Sequence, residues 1–156
     1  ELDQWPMALG RRNTLMWRYE KRLQYPVKIS QPNPKMAQFI MSQYGGPDGE
    51  MGASMRYLSQ RYAMPYDVGK AVLTDIGTEE LAHLEIVAAI VHQLTRNLSD
   101  QEVRENPAFA PYFVDHTTGV YPAAASGFPW SAGSIQSTGD VIADLTEDLA
   151  ADAAIM

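Results

Sequence analysis

The sequence predicts an all-α helical bundle, on three observations. From about Asp67 to about Asn97, Leu73, Ile76, Glu80, His83, Val87, Ile90 and Leu94 recur at spacings of three or four, which draws one stripe along a long helix. Two further helical segments flank it, one from about Pro34 to about Tyr62 and one opening at Asp140. The third observation is chemical. Glu80 and His83 form a Glu-x-x-His step inside the apolar stripe, and Glu50 stands on the preceding helical segment. Bundles that hold a carboxylate-bridged metal pair take one Glu from each of two helices and a Glu-x-x-His from each of the other two. This chain supplies one of each.

In chain order, residues 1–16 read as an N-terminal extension without periodicity, and residues 17–156 as one partial bundle domain. Leu23-Gln24-Tyr25-Pro26-Val27-Lys28-Ile29 reads as an extended, Pro-interrupted arm. Asn33 is suited to cap the first helix and Pro34 to occupy its first position. Gly45-Gly46-Pro47 falls in the middle of that segment and predicts a kink or a close packing contact there. Met64-Pro65 ends it. The second helix runs antiparallel to it, with Lys70, Glu79 and Arg96 on the side away from the stripe. Residues 99–139 are rich in Pro, Gly, Ser and aromatics, as expected of a long irregular crossover or packing arm. Asp140 then caps a partial third helix, with Ile142, Leu145, Leu149 and Asp152 on its stripe.

Composition narrows the chemistry. Twelve Lys and Arg against nineteen Asp and Glu leave a net charge of −7, which argues against nucleic acid and anionic membrane surfaces as partners. The longest strongly apolar run, Ile86 to Val91, is too short to span a bilayer, and no secretory signal pattern opens the chain. A cytoplasmic location is expected. With no cysteine, any metal must be held by oxygen and imidazole.

A carboxylate on a core stripe is costly unless paired or metal-bound. Glu50, Glu80 and His83 on the inner faces of successive helices therefore call for a cation, and manganese or iron suits that donor set. The plain alternative is that Glu80 pairs with an Arg or Lys and His83 is a satisfied core histidine. Tyr57 lies two turns beyond Glu50 on the same face, placed either to donate a hydrogen bond to a ligand carboxylate or simply to fill the core. Glu79, Glu85, His92 and His116 lack ligand-spaced partners on that face. No serine stands in an elbow-like context beside Asp115-His116, and the glycines form no phosphate loop.

Several runs resemble the manganese catalases, and most nearly the manganese-catalase-like spore-coat proteins. They include Gln43-Tyr44-Gly45-Gly46, Asp48-Gly49-Glu50, Arg56-Tyr57-Leu58, Gly77-Thr78-Glu79-Glu80 with His83-Leu84-Glu85, Gly127-Phe128-Pro129-Trp130 and Glu147-Asp148-Leu149-Ala150-Ala151. The resemblance covers about residues 16–152. It implies a ferritin-like bundle holding two Mn ions, with Fe as the alternative, that disproportionates hydrogen peroxide to water and dioxygen. It further implies Glu50 as a bridging carboxylate, Glu80 and His83 as metal ligands, and Tyr57 as the tyrosine behind them. Asp152 stands where the family places a ligand Glu, and the shorter side chain draws the oxygens back by about 1.5 Å. The family's second Glu-x-x-His is not in these residues: either the C-terminal half is truncated here, or the missing ligands come from a partner, a copy of the chain in a homo-oligomer from dimer to hexamer or a chain supplying the remaining helices. A third expectation is a coat-like structural protein, located in a spore coat, that keeps the fold without catalysis.

Overall fold

A computed structural model describes residues 23, 25–106, 109, 113–114 and 117–155. The 1–16 extension and His116 lie outside the described residues. Five helices form the frame: α1 (Pro34–Gly45), α2 (Glu50–Gln60), α3 (Asp67–Thr95), α4 (Asp100–Glu105) and α5 (Val141–Ile155). Within the crossover, β1 (Phe113–Val114) and β2 (Thr117–Thr118) pair antiparallel, and Ala132–Ser134 makes one 3₁₀ turn. Two such short strands leave the architecture helical.

Local signals place the helix ends. Asn33 Oδ1 accepts the Met36 amide at 3.0 Å with Pro34 at the first position of α1. Ser99 and Glu102 make a reciprocal capping box on α4. Asp140 Oδ1 accepts the amides of Ile142 and Ala143 at 3.0 and 2.9 Å, which starts α5 as expected.

The 29 residues of α3, roughly 44 Å of helix, form the spine. Against its C-terminal half, α1 builds a core of Ala37, Met41, Val87, Val91, Leu94 and Leu98. Against its N-terminal half, α2 builds a second core of Ala53, Tyr57, Met64 and Leu73. The arm before α1 is tied to the end of α3: Gln93 accepts the Ile29 amide at 2.8 Å and donates to the Val27 carbonyl at 2.9 Å.

Two expectations need correction. The first helical segment is not one kinked helix but two, separated by residues 46–49. The crossover explains the break. A Cβ on Gly45 would stand 2.3 Å from the Ala123 backbone nitrogen, so only glycine lets the 122–125 strap lie this close, and the Ala125 amide then bonds Ser42 Oγ at 3.1 Å. The stripe of α5 is also reversed. Ile142, Leu145 and Leu149 are 76%, 39% and 73% exposed, whereas Asp144, Asp148 and Ala151 face inward. Asp144 anchors that orientation, accepting from Thr138 N, Thr138 Oγ1 and Gly139 N at 2.8, 2.7 and 3.1 Å.

Candidate metal centre

The Ser54 hydroxyl sets the register between α2 and α3 by donating to the Gly77 carbonyl at 2.7 Å in a fully buried contact. The helices cross closely at this point, because a Cβ on Gly77 would lie 2.9 Å from Leu58 Cγ and 3.0 Å from Tyr57 Cβ. One turn before Ser54 stands Glu50, and one turn after Gly77 stand Glu80 and then His83. Antiparallel packing therefore brings the three side chains together at the junction of the two cores.

Each offers a ligand atom, and these atoms all lie within 4.8 Å of one another. His83 Nδ1 is 2.7 Å from Glu80 Oε2 and 3.9 Å from Glu50 Oε2. The carboxylates are 15% and 13% exposed at Glu50 and Glu80, and His83 is 38% exposed, so one side of the cluster opens outward. Burial, then the contact and charge of Glu80, push the Glu50 carboxyl up to about 7, against a downward pull from His83. Burial works to lower the His83 pKa, but the hydrogen bond and charge of Glu80, with Glu50 and Glu79 behind, raise it on balance. Two crowded carboxylates and an imidazole are the oxygen-and-nitrogen donor set that a divalent transition metal accepts, and a cation would relieve their mutual repulsion. The residues fit a metal.

The other expected site residues are arranged around this cluster. Tyr57 is 2% exposed and donates its hydroxyl to Asp152 Oδ1 at 2.7 Å. Burial and this carboxylate raise its pKa. Asp152 is exposed and outside the three-residue cluster, yet its charge contributes to the rise at Glu50. Glu79, Glu85 and His92 are exposed and outside the three-residue cluster, although the Glu79 charge reaches His83. Among the described residues Glu80 pairs with His83 and with no Arg or Lys. Sequence reasoning did not identify Ser54 and Gly77 as the residues that set the register. Small residues at facing positions were the available signal, but they carry no chemistry of their own. It also missed Arg56, a fully buried cation held by Asp48 and Gln136 at 3.0 and 2.8 Å.

Fold and site together define a helical bundle that gathers two carboxylates and an imidazole of metal-ligand type at one point. A profile of the manganese-containing catalases matches residues 16–155. Protein CotJC of Bacillus subtilis is 49% identical over 137 residues, covering 88% of this chain and 71% of that protein. A probable manganese catalase of Clostridium acetobutylicum is 35% identical over 139 residues, covering 88% of this chain and 61% of its own length. Among solved structures, wild-type KatB, a manganese catalase from Anabaena, superposes with a TM-score of 0.78 at 31% identity, covering 89% of this chain and 62% of KatB. The chain belongs to the manganese-catalase family and has its ferritin-like helical fold. It spans less than two thirds of the length of the two catalases. No helix among the described residues is long and apolar enough to cross a membrane.

Proposed function

We propose that this chain carries the front half of a dimanganese centre and that the complete assembly disproportionates hydrogen peroxide to water and dioxygen. The observation that carries the reading is the convergence of Glu50, Glu80 and His83 within 4.8 Å, in a chain of the manganese-catalase family. Glu50, Glu80 and His83 would hold the metal, with Asp152 as a further ligand from α5. When bound, the metal pair supplies the redox cycle by which one peroxide is oxidised to dioxygen and another reduced to water. The chain's own groups do the rest. Ser54 and Gly77 hold the two ligand-bearing helices in register. The Tyr57 hydroxyl fixes the Asp152 carboxylate, so that α5 presents its oxygens at one rotamer. Carboxylates beside the centre are placed to take and return the protons of peroxide.

Completion takes ligands beyond those in these residues, from the remaining helices of the family's bundle or from other copies of the chain. A location in the cytoplasm or in a spore coat is part of the same reading. One experiment tests the centre: elemental analysis and Mn²⁺ titration followed by electron paramagnetic resonance. The unsubstituted assembly is expected to retain manganese, and Glu80→Ala to lose it. If neither manganese nor iron binds, the metal reading fails.

A coat-like structural protein without catalysis is the second reading. It is favoured by the higher identity to CotJC than to the Clostridium catalase and by Asp where the resemblance expects a ligand Glu. An assembly that binds manganese but evolves no dioxygen from peroxide would establish this reading over the first.

A further inference from the structure

Apart from the metal centre, α2 and α5 enclose a second polar group of residues. Arg56 is 1% exposed, and its Nη2 is fully used by Asp48 and Gln136, yet Nε and Nη1 are buried without an acceptor among the described residues. On α5, Asp148 is 6% exposed and neither carboxylate oxygen receives a hydrogen bond among the described residues. Gln60, one turn beyond Arg56 on α2, donates from Nε2 to the Gln136 carbonyl at 3.2 Å and leaves Oε1 buried and unpaired. Gln60, by a side-chain contact, and Arg56, by its charge, both stabilise the Asp148 carboxylate, yet among the described residues no ion pair or hydrogen bond of ordinary geometry closes on it.

Buried charges left this way are strongly unfavourable, and native proteins resolve such groups with a partner or an ordered water. The chemistry of the five atoms selects among ligands. A cation would be repelled by Arg56 and an anion by Asp148. The unmet atoms are donors on one side, Nε and Nη1, and acceptors on the other, Asp148 Oδ1 and Oδ2 with Gln60 Oε1. A small neutral molecule that both accepts and donates meets both sides. A recess with room for about one water molecule, lined by Gln60, Ala63, Met64, Gly139, Val141 and Asp144, lies on the Gln60 side of this group.

We propose that Arg56, Gln60 and Asp148 hold a buried water that accepts from the guanidinium and donates to the carboxylate, clasping α5 to α2. Among the described residues the one direct side-chain hydrogen bond between these helices is Tyr57 to Asp152, a turn further along α5. The water supplies the second point that a fixed helix orientation needs. This site is independent of the metal chemistry proposed above.

A high-resolution crystal structure of the unsubstituted protein, with NMR of the Arg56 Nε–H, tests the site. The expected result is an ordered water within hydrogen-bond distance of both Arg56 and Asp148, and a water cross-peak at the Arg56 Nε–H. Asp148→Asn keeps an acceptor and is expected to keep that cross-peak, while Asp148→Leu loses it. A direct Arg56–Asp148 ion pair with no water between, or a cross-peak unchanged in Asp148→Leu, overturns the proposal. Should the Leu variant fail to fold, the crystal structure of the unsubstituted protein decides alone.

Discussion

Asp144 and Asp148 stand one turn apart on α5, both nearly fully buried, and the residues around them shift their pKa values in opposite directions. At Asp144, burial pushes the pKa up, but the Thr138 amide and hydroxyl and the Gly139 amide outweigh it and lower it. Its charged form is thus preferred in the folded state. The stability it contributes is present above the unfolded value near 3.9 and is lost as pH falls through the lower folded value. Asp144→Ala is expected to cost about 2–3 kcal/mol at pH 7, read from urea denaturation, and less toward pH 3. At Asp148, burial raises the pKa to about 6, assisted by the charges of Asp152 and Asp144 and opposed by Gln60 and Arg56. Here the folded state prefers the proton. The penalty is present in full above pH 6 and fades as pH falls from there toward about 4. Asp148→Asn is therefore expected to stabilise the chain at pH 7, by at most about 3 kcal/mol, with no gain near pH 4. A pH-independent difference between Asn and Asp would contradict this account. Neither effect was legible in the sequence, since both residues occupy positions that an apolar pattern assigns to the solvent side.

The ligand geometry depends on the approach of α2 to α3 at Gly77. Replacing Gly77 by Ala would ordinarily favour the helix by about 1 kcal/mol. Here the added Cβ meets Leu58 Cγ at 2.9 Å and Tyr57 Cβ at 3.0 Å, and overpacking of this kind costs about 1–3 kcal/mol. Gly77→Ala is expected to be net destabilising by about 1 kcal/mol and to weaken Mn²⁺ binding as Glu50 and Glu80 separate. A rise in the urea midpoint would show that the helices have slack at this crossing. The long helix α3 was legible because seven residues share one stripe, and Asn33 and Asp140 marked helix starts by their capping chemistry. Glu80 and His83 were legible because ligand-type residues interrupt that stripe, and Glu50 as a carboxylate on the preceding segment. The split of the first helical segment was legible only as a disturbance. Gly45-Gly46-Pro47 announces trouble in a helix, but the cause is a backbone strap from residues 122–125, almost eighty positions away. The direction of α5 was illegible for a different reason: periodicity defines a stripe and says nothing about which neighbour covers it.

At the scale of the molecule, the outward stripe of α5 is a liability that bears on the proposed assembly. Ile142 and Leu149 are each more than 70% exposed, with Leu145 between them, and Val68 and Val72 near the start of α3 are 78% and 49% exposed. Fully burying one such side chain is worth about 1.5–3 kcal/mol, so covering the three α5 residues offers on the order of 5 kcal/mol. Association itself costs at least about 4 kcal/mol in lost freedom, which leaves little net gain from the α5 stripe alone. The chain is thus expected to self-associate weakly through this face, or tightly when a partner covers the metal cluster and the stripe together. Its net charge of −7 opposes self-association at low salt, so raising the salt concentration should strengthen it. Sedimentation velocity across a concentration series tests this. The double variant Ile142→Glu/Leu149→Glu should shift the distribution toward monomer while leaving helical content unchanged, because both side chains already face solvent. A chain that stays monomeric at every concentration and salt level, with no partner chain bound, would remove the oligomer from the proposed function.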